Sequence, residues 1–379
     1  MTAQRWGHVL ATLTNALKDV GTVVIDSHRA EVAAAFADRL ALAAQRQGRR
    51  CIRLTASANP ASASTDASTD ASTDPAASAD PAASTDPVDP VDPVDPADPA
   101  ADPAASSAAA ASADPAFLAV AAGQIWRSHP AFRTGTVVWL RTPATPGEPT
   151  DHRDDGAAVI VDLHDGTWPV IRHIDPDLAA HNLWYRTESQ AFFGIRAATW
   201  DARFGDDRPA YAAAVAEGQI KPGGTAIDLG CGTGRALPAL RDAVGPAGIV
   251  IGIDYTREML DVARASGRAR MAMLLQADAL HLPLRDSTAD AIFAAGLITH
   301  LPDTRAGLTE LARVTKPGGV LILFHPSGRA ALAARHGRAL RPDEPLDQNP
   351  LATAMRATGW RLTTYDDAQH RFLAVAARA

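Results

Sequence analysis

The stretch Ala226-Ile-Asp-Leu-Gly-Cys-Gly-Thr-Gly-Arg-Ala-Leu-Pro-Ala-Leu240 decides how this chain reads. Ala226 to Leu229 is a short apolar run, the pattern of a buried strand. It enters a turn carrying Gly230, Gly232 and Gly234, and a helical pattern begins at Arg235. Glycines so closely spaced let the backbone turn sharply and let a ligand approach with no Cβ in the way. The helix that follows offers unpaired N–H groups to a polar ligand at its N-terminus. A dinucleotide fingerprint would need a third glycine where Arg235 stands; the spacing here is D-x-G-x-G-x-G.

Working outward, Ile249-Val-Ile-Gly-Ile-Asp254 reads as a second strand ending in an acid. A carboxylate there suits two ribose hydroxyls. Tyr255-Thr-Arg-Glu-Met-Leu260 follows, then Leu275-Gln-Ala-Asp278-Ala279, then Asp290 to Leu297 with Gly296 near its end, and Arg313 to Gly319. In this order the segments resemble the motifs of the class I S-adenosylmethionine-dependent methyltransferases, over residues 183–379. The resemblance implies an α/β fold: a seven-stranded Rossmann-like sheet whose last strand is antiparallel. It implies S-adenosylmethionine as cofactor. Asp228 would order the loop and hydrogen-bond the methionine part, and Asp254, followed by Tyr255, would hold the ribose. Met259, Asp278 and Ala279 would hold the adenine, and Gly296 would face the methyl group. Strand ends are where ligands bind in such sheets, and Asp228, the three glycines, Asp254 and Asp278 all fall at strand ends.

Strands are expected at 225–229, 249–253, 272–276, 290–294 and 319–324, with a C-terminal hairpin from Gly359 to Ala376. One long helix is expected from Leu183 to about Ala202, carrying Trp184, Tyr185, Phe192, Phe193 and Trp200, and a second begins at Arg208. In the family such aromatic helices cover the cofactor; equally, they cap the core.

The N-terminal part is also α/β. A helical stripe runs from residue 2 to 18, Thr22 to Asp26 is a strand, Glu31 to Gln47 a helix and Arg50 to Thr55 a strand. Phe117 to Trp126 reads as helical; 136–141, 157–163 and 168–173 read as strands. This opening resembles the uridine-kinase-like P-loop proteins with the phosphate chemistry removed. The motif's glycines fall at Ser27 and Val32, its Lys at Ala33 and its hydroxyl residue at Ala34. Amides cannot then wrap a phosphate, and there is no charge partner or Mg²⁺ ligand. The reading is a degenerate P-loop kinase-like lobe over 1–55 and 117–175. Residues 56–116 are mostly Ala, Ser, Thr, Asp and Pro in repeats, expected to be a disordered insertion.

The 379 residues suffice for two domains. The net charge of −7 is misleading, because residues 56–116 hold eleven Asp and no Lys or Arg. The remaining near-balance argues against a nucleic-acid partner. No apolar run approaches a membrane span, and no leader pattern is visible, so a cytoplasmic location is expected. Cys51 and Cys231 fall in separate parts of the chain, which disfavours a disulfide. No metal is expected: His164 and His173 flank Asp162 and Asp165, but the spacing fits no ligand pattern.

The chemistry expected is in-line displacement of the methyl onto a small-molecule acceptor. His300, in Gly296-Leu-Ile-Thr-His-Leu-Pro-Asp303, is the candidate catalytic base; the alternative is a histidine hydrogen-bonded at a helix start. His325 reaches the same side of the sheet. Arg329, Arg335, His336, Arg338 and Arg341 form either a solvated basic face or a clamp for an acidic acceptor. Two competing readings are a non-catalytic cofactor-binding or scaffold protein and a nucleotide-dependent phosphotransferase.

Overall fold

The computed structural model describes residues 2–55, 117–143, 156–179, 183–335, 340 and 344–379. The expected insertion at 56–116 lies outside the described residues, as do His336, Arg338 and Arg341. The chain divides into two compact units, Leu10–Leu140 and a larger one made of Met1–Val9 with Arg141–Ala379.

Helix α1 (Thr2–Ala16) leads into β1 (Thr22–Ser27), α2 (Ala30–Arg46) and β2 (Arg50–Leu54). Then come β3 (Phe117–Ala122) and β4 (Thr136–Arg141). These strands pair in parallel in the order β2-β3-β1-β4. Phe117–Ala122 is therefore a strand, not the helix its sequence suggests. Between β1 and β2 it is covered on both faces, with Leu118 to Ala121 all buried. A continuous apolar run serves such a central parallel strand better than a one-sided helix. Helix α2 buries Ala33, Phe36, Ala37, Leu40, Ala41 and Ala44. Only His28 and Arg29 link β1 to α2.

In the larger unit, β5 (Val159–Asp162) and β6 (Val170–Ile174) form an antiparallel pair. Helices α3 (Trp184–Gly194), α4 (Trp200–Phe204) and α5 (Arg208–Glu217) follow. The single helix expected over 183–202 is broken, with a 3₁₀ turn at Ala197–Thr199. Gly194 marks the break, and a Cβ there would stand 3.4 Å from the Glu258 carboxyl, so the chain crosses close over the next layer.

The remaining elements are β7 (Thr225–Leu229), α6 (Leu237–Val244), β8 (Ile249–Asp254), α7 (Arg257–Ala265), β9 (Met273–Gln276), β10 (Ala289–Ala295), α8 (Thr304–Val314), β11 (Thr315–His325), α9 (Arg329–Arg335), α10 (Gln348–Ala357), β12 (Trp360–Ala368) and β13 (Arg371–Arg378). Their strands form one seven-stranded sheet in the order β12-β13-β11-β10-β7-β8-β9. The five strands from β11 to β9 are parallel. β13 lies antiparallel to both β11 and β12, as expected for the last strand. Alternate residues feed two cores. Ile227, Ile251, Ile292 and Leu321 face one side, with Leu308 and Met355 of α8 and α10. Ala226, Val250, Phe293 and Ile322 face the other, with Val215 and Leu240 of α5 and α6. That two-residue alternation, apolar on both faces, is what a sheet covered by helices on both sides demands.

Candidate cofactor site

The order reverses at β7, between β8 and β10, so the glycine turn after β7 opens at the switch point of the sheet. Gly230 and Cys231 both donate backbone N–H bonds to the Ile253 carbonyl, at 2.8 and 2.9 Å, which ties the turn to the end of β8. Gly234 has φ +84°, and a Cβ there would stand 2.7 Å from Leu237 Cδ1, so only glycine fits. Gly232 has φ +53° and lies over Met259, whose side chain is buried. Cys231 is buried and its thiol is pushed up by burial, so it is no nucleophile.

Two carboxylates flank this turn. Asp254 Oδ2 accepts from Gly232 N–H at 2.8 Å and Oδ1 from Thr256 N–H at 2.7 Å. Each oxygen keeps a lone pair for a further donor. Asp228 is 2% exposed, and its Oδ2 has no hydrogen-bond partner among the described residues. Burial, and then the charge of Asp254, push its carboxyl up to about 8. A buried, undonated carboxylate oxygen beneath a glycine cradle suits a ligand carrying positive charge and N–H donors.

At the far end of the site, Tyr185 of α3 donates its hydroxyl to Asp278 Oδ1 at 2.6 Å, and Leu280 N–H donates to the same oxygen at 3.0 Å. Arg186 pairs with Asp278 Oδ2 at 2.7 Å. Ala279 is buried beside it. The Tyr255 carbonyl accepts from both Gln190 and Gln276, joining α3 to the end of β8. Tyr185 thus already occupies the acid expected to take an adenine amino group.

The loop after β10 carries Gly296, whose N–H donates to the Phe324 carbonyl at 2.9 Å. Leu297 packs 3.1 Å from where a Gly230 Cβ would stand, so this loop rests on the glycine turn. His300 closes the 3₁₀ turn Ile298–His300. Its Nδ1 lies 3.1 Å from Arg172 Nη2, and its ring meets Phe193 edge-on at 5.2 Å. An arginine only donates, so Nδ1 is the acceptor and Nε2 carries the proton. His325 Nδ1 is engaged by the Ser327 backbone, and burial lowers its pKa. Arg329 is no free clamp: Asp367, Asp347 and Glu344 surround it. Arg335 donates to Ser327 Oγ at 3.0 Å.

Sequence reading missed a second set. Arg235 is 6% exposed; its Nε donates to Asp207 at 2.7 Å and its Nη2 to the Gly205 carbonyl at 2.6 Å. Thr233 Oγ1 donates to Asp201 at 2.6 Å, and Arg268 bridges Asp201 and the Thr233 carbonyl, both at 2.7 Å. The segment around α4 is thus bolted to the outside of the glycine turn. The signal available in sequence was Arg235 itself, a long cation where a glycine loop ends.

Residues 227–323 match the family described as a methyltransferase domain. These residues form a methyltransferase domain. Its implied cofactor is S-adenosylmethionine, and the orphaned Asp228 oxygen and the half-used Asp254 carboxylate fit that group's cationic and hydroxyl ends. The demethylmenaquinone methyltransferase of Bacillus cereus is 36% identical over 124 residues, 32% of this chain and 52% of that protein. An uncharacterized 37.1 kDa protein in a transposon of Streptomyces fradiae is 39% identical over 107 residues, 28% of this chain and 31% of that protein. The chain spans about half the length of the first and a third of the second. Among solved structures, a SAM-dependent methyltransferase from Aquifex aeolicus has a TM-score of 0.40 at 24% identity, over 47% of this chain and 96% of that one. No helix among the described residues is long and apolar enough to cross a membrane.

Proposed function

We propose that the protein transfers a methyl group from S-adenosylmethionine to a small-molecule acceptor, the methyltransferase domain holding both. The observation that carries this is the buried Asp228 oxygen with no donor, set under the glycine turn at the sheet's switch point. Bound there, the cofactor supplies a methyl made electrophilic by its sulfonium. Asp254 grips the ribose hydroxyls with the lone pairs that Gly232 and Thr256 leave. Asp228 takes donors of the methionine part, and Met259 and Ala279 line the adenine. Asp278 takes the adenine amino group in competition with the Tyr185 hydroxyl. Gly296 lets the loop after β10 approach the transfer point. His300, with its proton on Nε2, offers a hydrogen bond to the acceptor rather than a base. Holding the acceptor in line and excluding water is then the protein's main contribution to rate.

Leu10–Leu140 we read as a degenerate P-loop-like lobe. Its strand order β2-β3-β1-β4 supports this. So does the two-residue His28-Arg29 link from β1 to α2, which is too short and too bulky to wrap a phosphate.

The test is calorimetric titration of the whole chain with S-adenosylmethionine, ATP and NAD. Saturable binding of S-adenosylmethionine, lost in Asp254→Ala, is the expected outcome. Binding of ATP with no response to S-adenosylmethionine would overturn the proposal.

A further inference from the structure

Arg186 and Phe193 stand seven positions apart on α3, so they share one face of the helix, about 10 Å from each other along its axis. They touch opposite ends of the site. At the start of the helix, Tyr185 donates to Asp278 Oδ1 at 2.6 Å and Arg186 pairs with Oδ2 at 2.7 Å. Near its end, the Phe193 ring meets His300 edge-on at 5.2 Å. Between these contacts the helix is fastened to the β5–β6 pair and the first turns of α1. Glu188 accepts from Ile171 N–H at 2.6 Å and pairs with Arg5, and Trp168 Nε1 donates to the Ala191 carbonyl at 2.9 Å. β6 in turn sends Arg172 Nη2 to His300 Nδ1 at 3.1 Å.

These fastenings differ in strength. Arg5 and Glu188 are both buried, and breaking such a pair costs far more than opening an exposed one. The first turns of α1, β5–β6 and α3 therefore hold together as one cap. Its clasps on Asp278 are the weaker set: the Arg186 side chain is 33% exposed, and the Tyr185 hydroxyl exchanges one hydrogen bond for another with water. A body that is stiff inside cannot leave Asp278 without also shifting at His300. The Asp278 side chain is only 11% exposed, and α3 with the Leu280 N–H engages both of its oxygens. An adenine amino group thus reaches it by displacing a clasp.

We propose that this cap couples the two ends of the site: an adenine amino group on Asp278 releases Tyr185 and Arg186, and the cap then draws Phe193 and Arg172 away from His300. The proposal rests on the methyl-transfer reading for the identity of its ligand, an adenine nucleoside. Cofactor first and acceptor second is the binding order that follows. A ligand shifts such an equilibrium only by its preference for one state. A purine without the amino group offers Asp278 no donor, so it has no means of opening the cap there.

The experiment labels the full chain with diethylpyrocarbonate and follows His300 by mass spectrometry. The reagent attacks an unprotonated ring nitrogen, and at His300 that is Nδ1, which Arg172 engages while the cap is closed. The ligands are S-adenosylhomocysteine, which carries the adenine but no methyl to transfer, and its analogue with unsubstituted purine in place of adenine. Calorimetry sets saturating concentrations of each. S-adenosylhomocysteine should speed labelling of His300 by about tenfold, the shift that giving up contacts worth one net hydrogen bond allows. The purine analogue should bind and leave the rate unchanged. Tyr185→Phe combined with Arg186→Gln should speed labelling by a similar factor with no ligand present. Should that variant not fold, the two ligands on the unaltered chain decide. Unchanged labelling with S-adenosylhomocysteine bound, or an equal rise with the purine analogue, would overturn the coupling. If neither nucleoside binds, the methyl-transfer reading falls, and the double variant then decides the coupling by itself: slow labelling there would overturn it as well.

Discussion

Between pH 3.8 and about 8 the Asp228 carboxyl is protonated in the folded chain and ionised in the unfolded one. Its stabilising contribution is therefore present below 3.8 and is lost as the pH rises through about 8. A cationic cofactor favours the ionised form, so binding of S-adenosylmethionine below pH 8 should release a proton. Calorimetry in two buffers of different ionisation heat should show this, and Asp228→Asn should abolish the difference. At Asp254 the expectation concerns backbone. Asp254→Ala leaves the Gly232 and Thr256 N–H groups without their acceptor, at about 1–3 kcal/mol each. Urea unfolding should register that loss alongside the loss of cofactor binding. Tyr185→Phe frees Asp278 from the phenol and should tighten S-adenosylmethionine binding by about three- to tenfold, one net hydrogen bond. Unchanged or weaker binding in the same titration would mean that the hydroxyl does not compete. Asp228, Asp254 and the glycines were legible because each lies within a few residues of a strand end. Tyr185, Arg172 and Arg235 were not, because their partners lie 93, 128 and 28 residues away.

The element that most constrains the site is the short helix α4 with the turn after it, held by Arg235 through Asp207 and by Thr233 and Arg268 through Asp201. Removing one partner of a buried ion pair costs about 3–5 kcal/mol. Asp207→Ala, which strands the buried Arg235, should lower the urea midpoint accordingly. Since the same arginine follows the glycine turn, cofactor affinity should fall with it; a stable variant with unchanged affinity would show that the turn holds its shape unaided. The strands and helices of the sheet were legible where apolar periodicity and glycine punctuation agreed, as at β7 and β8. Phe117–Ala122 misled because an all-apolar run of six carries no period. Only its parallel neighbours, both distant in sequence, make it a strand.

Taken whole, the larger unit draws on both ends of the chain. Arg5, 6% exposed, pairs with Glu188, 1% exposed, and its Nε donates to the Pro169 carbonyl at 2.7 Å, while Trp168 Nε1 donates to Ala191 on α3 at 2.9 Å. The first turns of α1, the β5–β6 pair and α3 therefore pack as one assembly beside the cofactor site. Arg5→Ala should destabilise this unit by about 3–5 kcal/mol; adding Glu188→Leu removes the stranded charge but also the acceptor of the Ile171 N–H, and should recover only part of it. Thermal melting of the single and double variants measures that recovery. A helical stripe at Trp6 and Val9 announced a helix but not its partner. Residues 183 positions apart meet here, and the order of synthesis follows from that. At about 5–20 residues per second, Arg5 is made roughly 10–40 s before Glu188. For that interval the helix start carries a charge with no counterpart, whereas Leu10–Leu140 can close long before. The Glu188 side of this pair is thus made well after the Arg5 side, which stays unpaired with it until then.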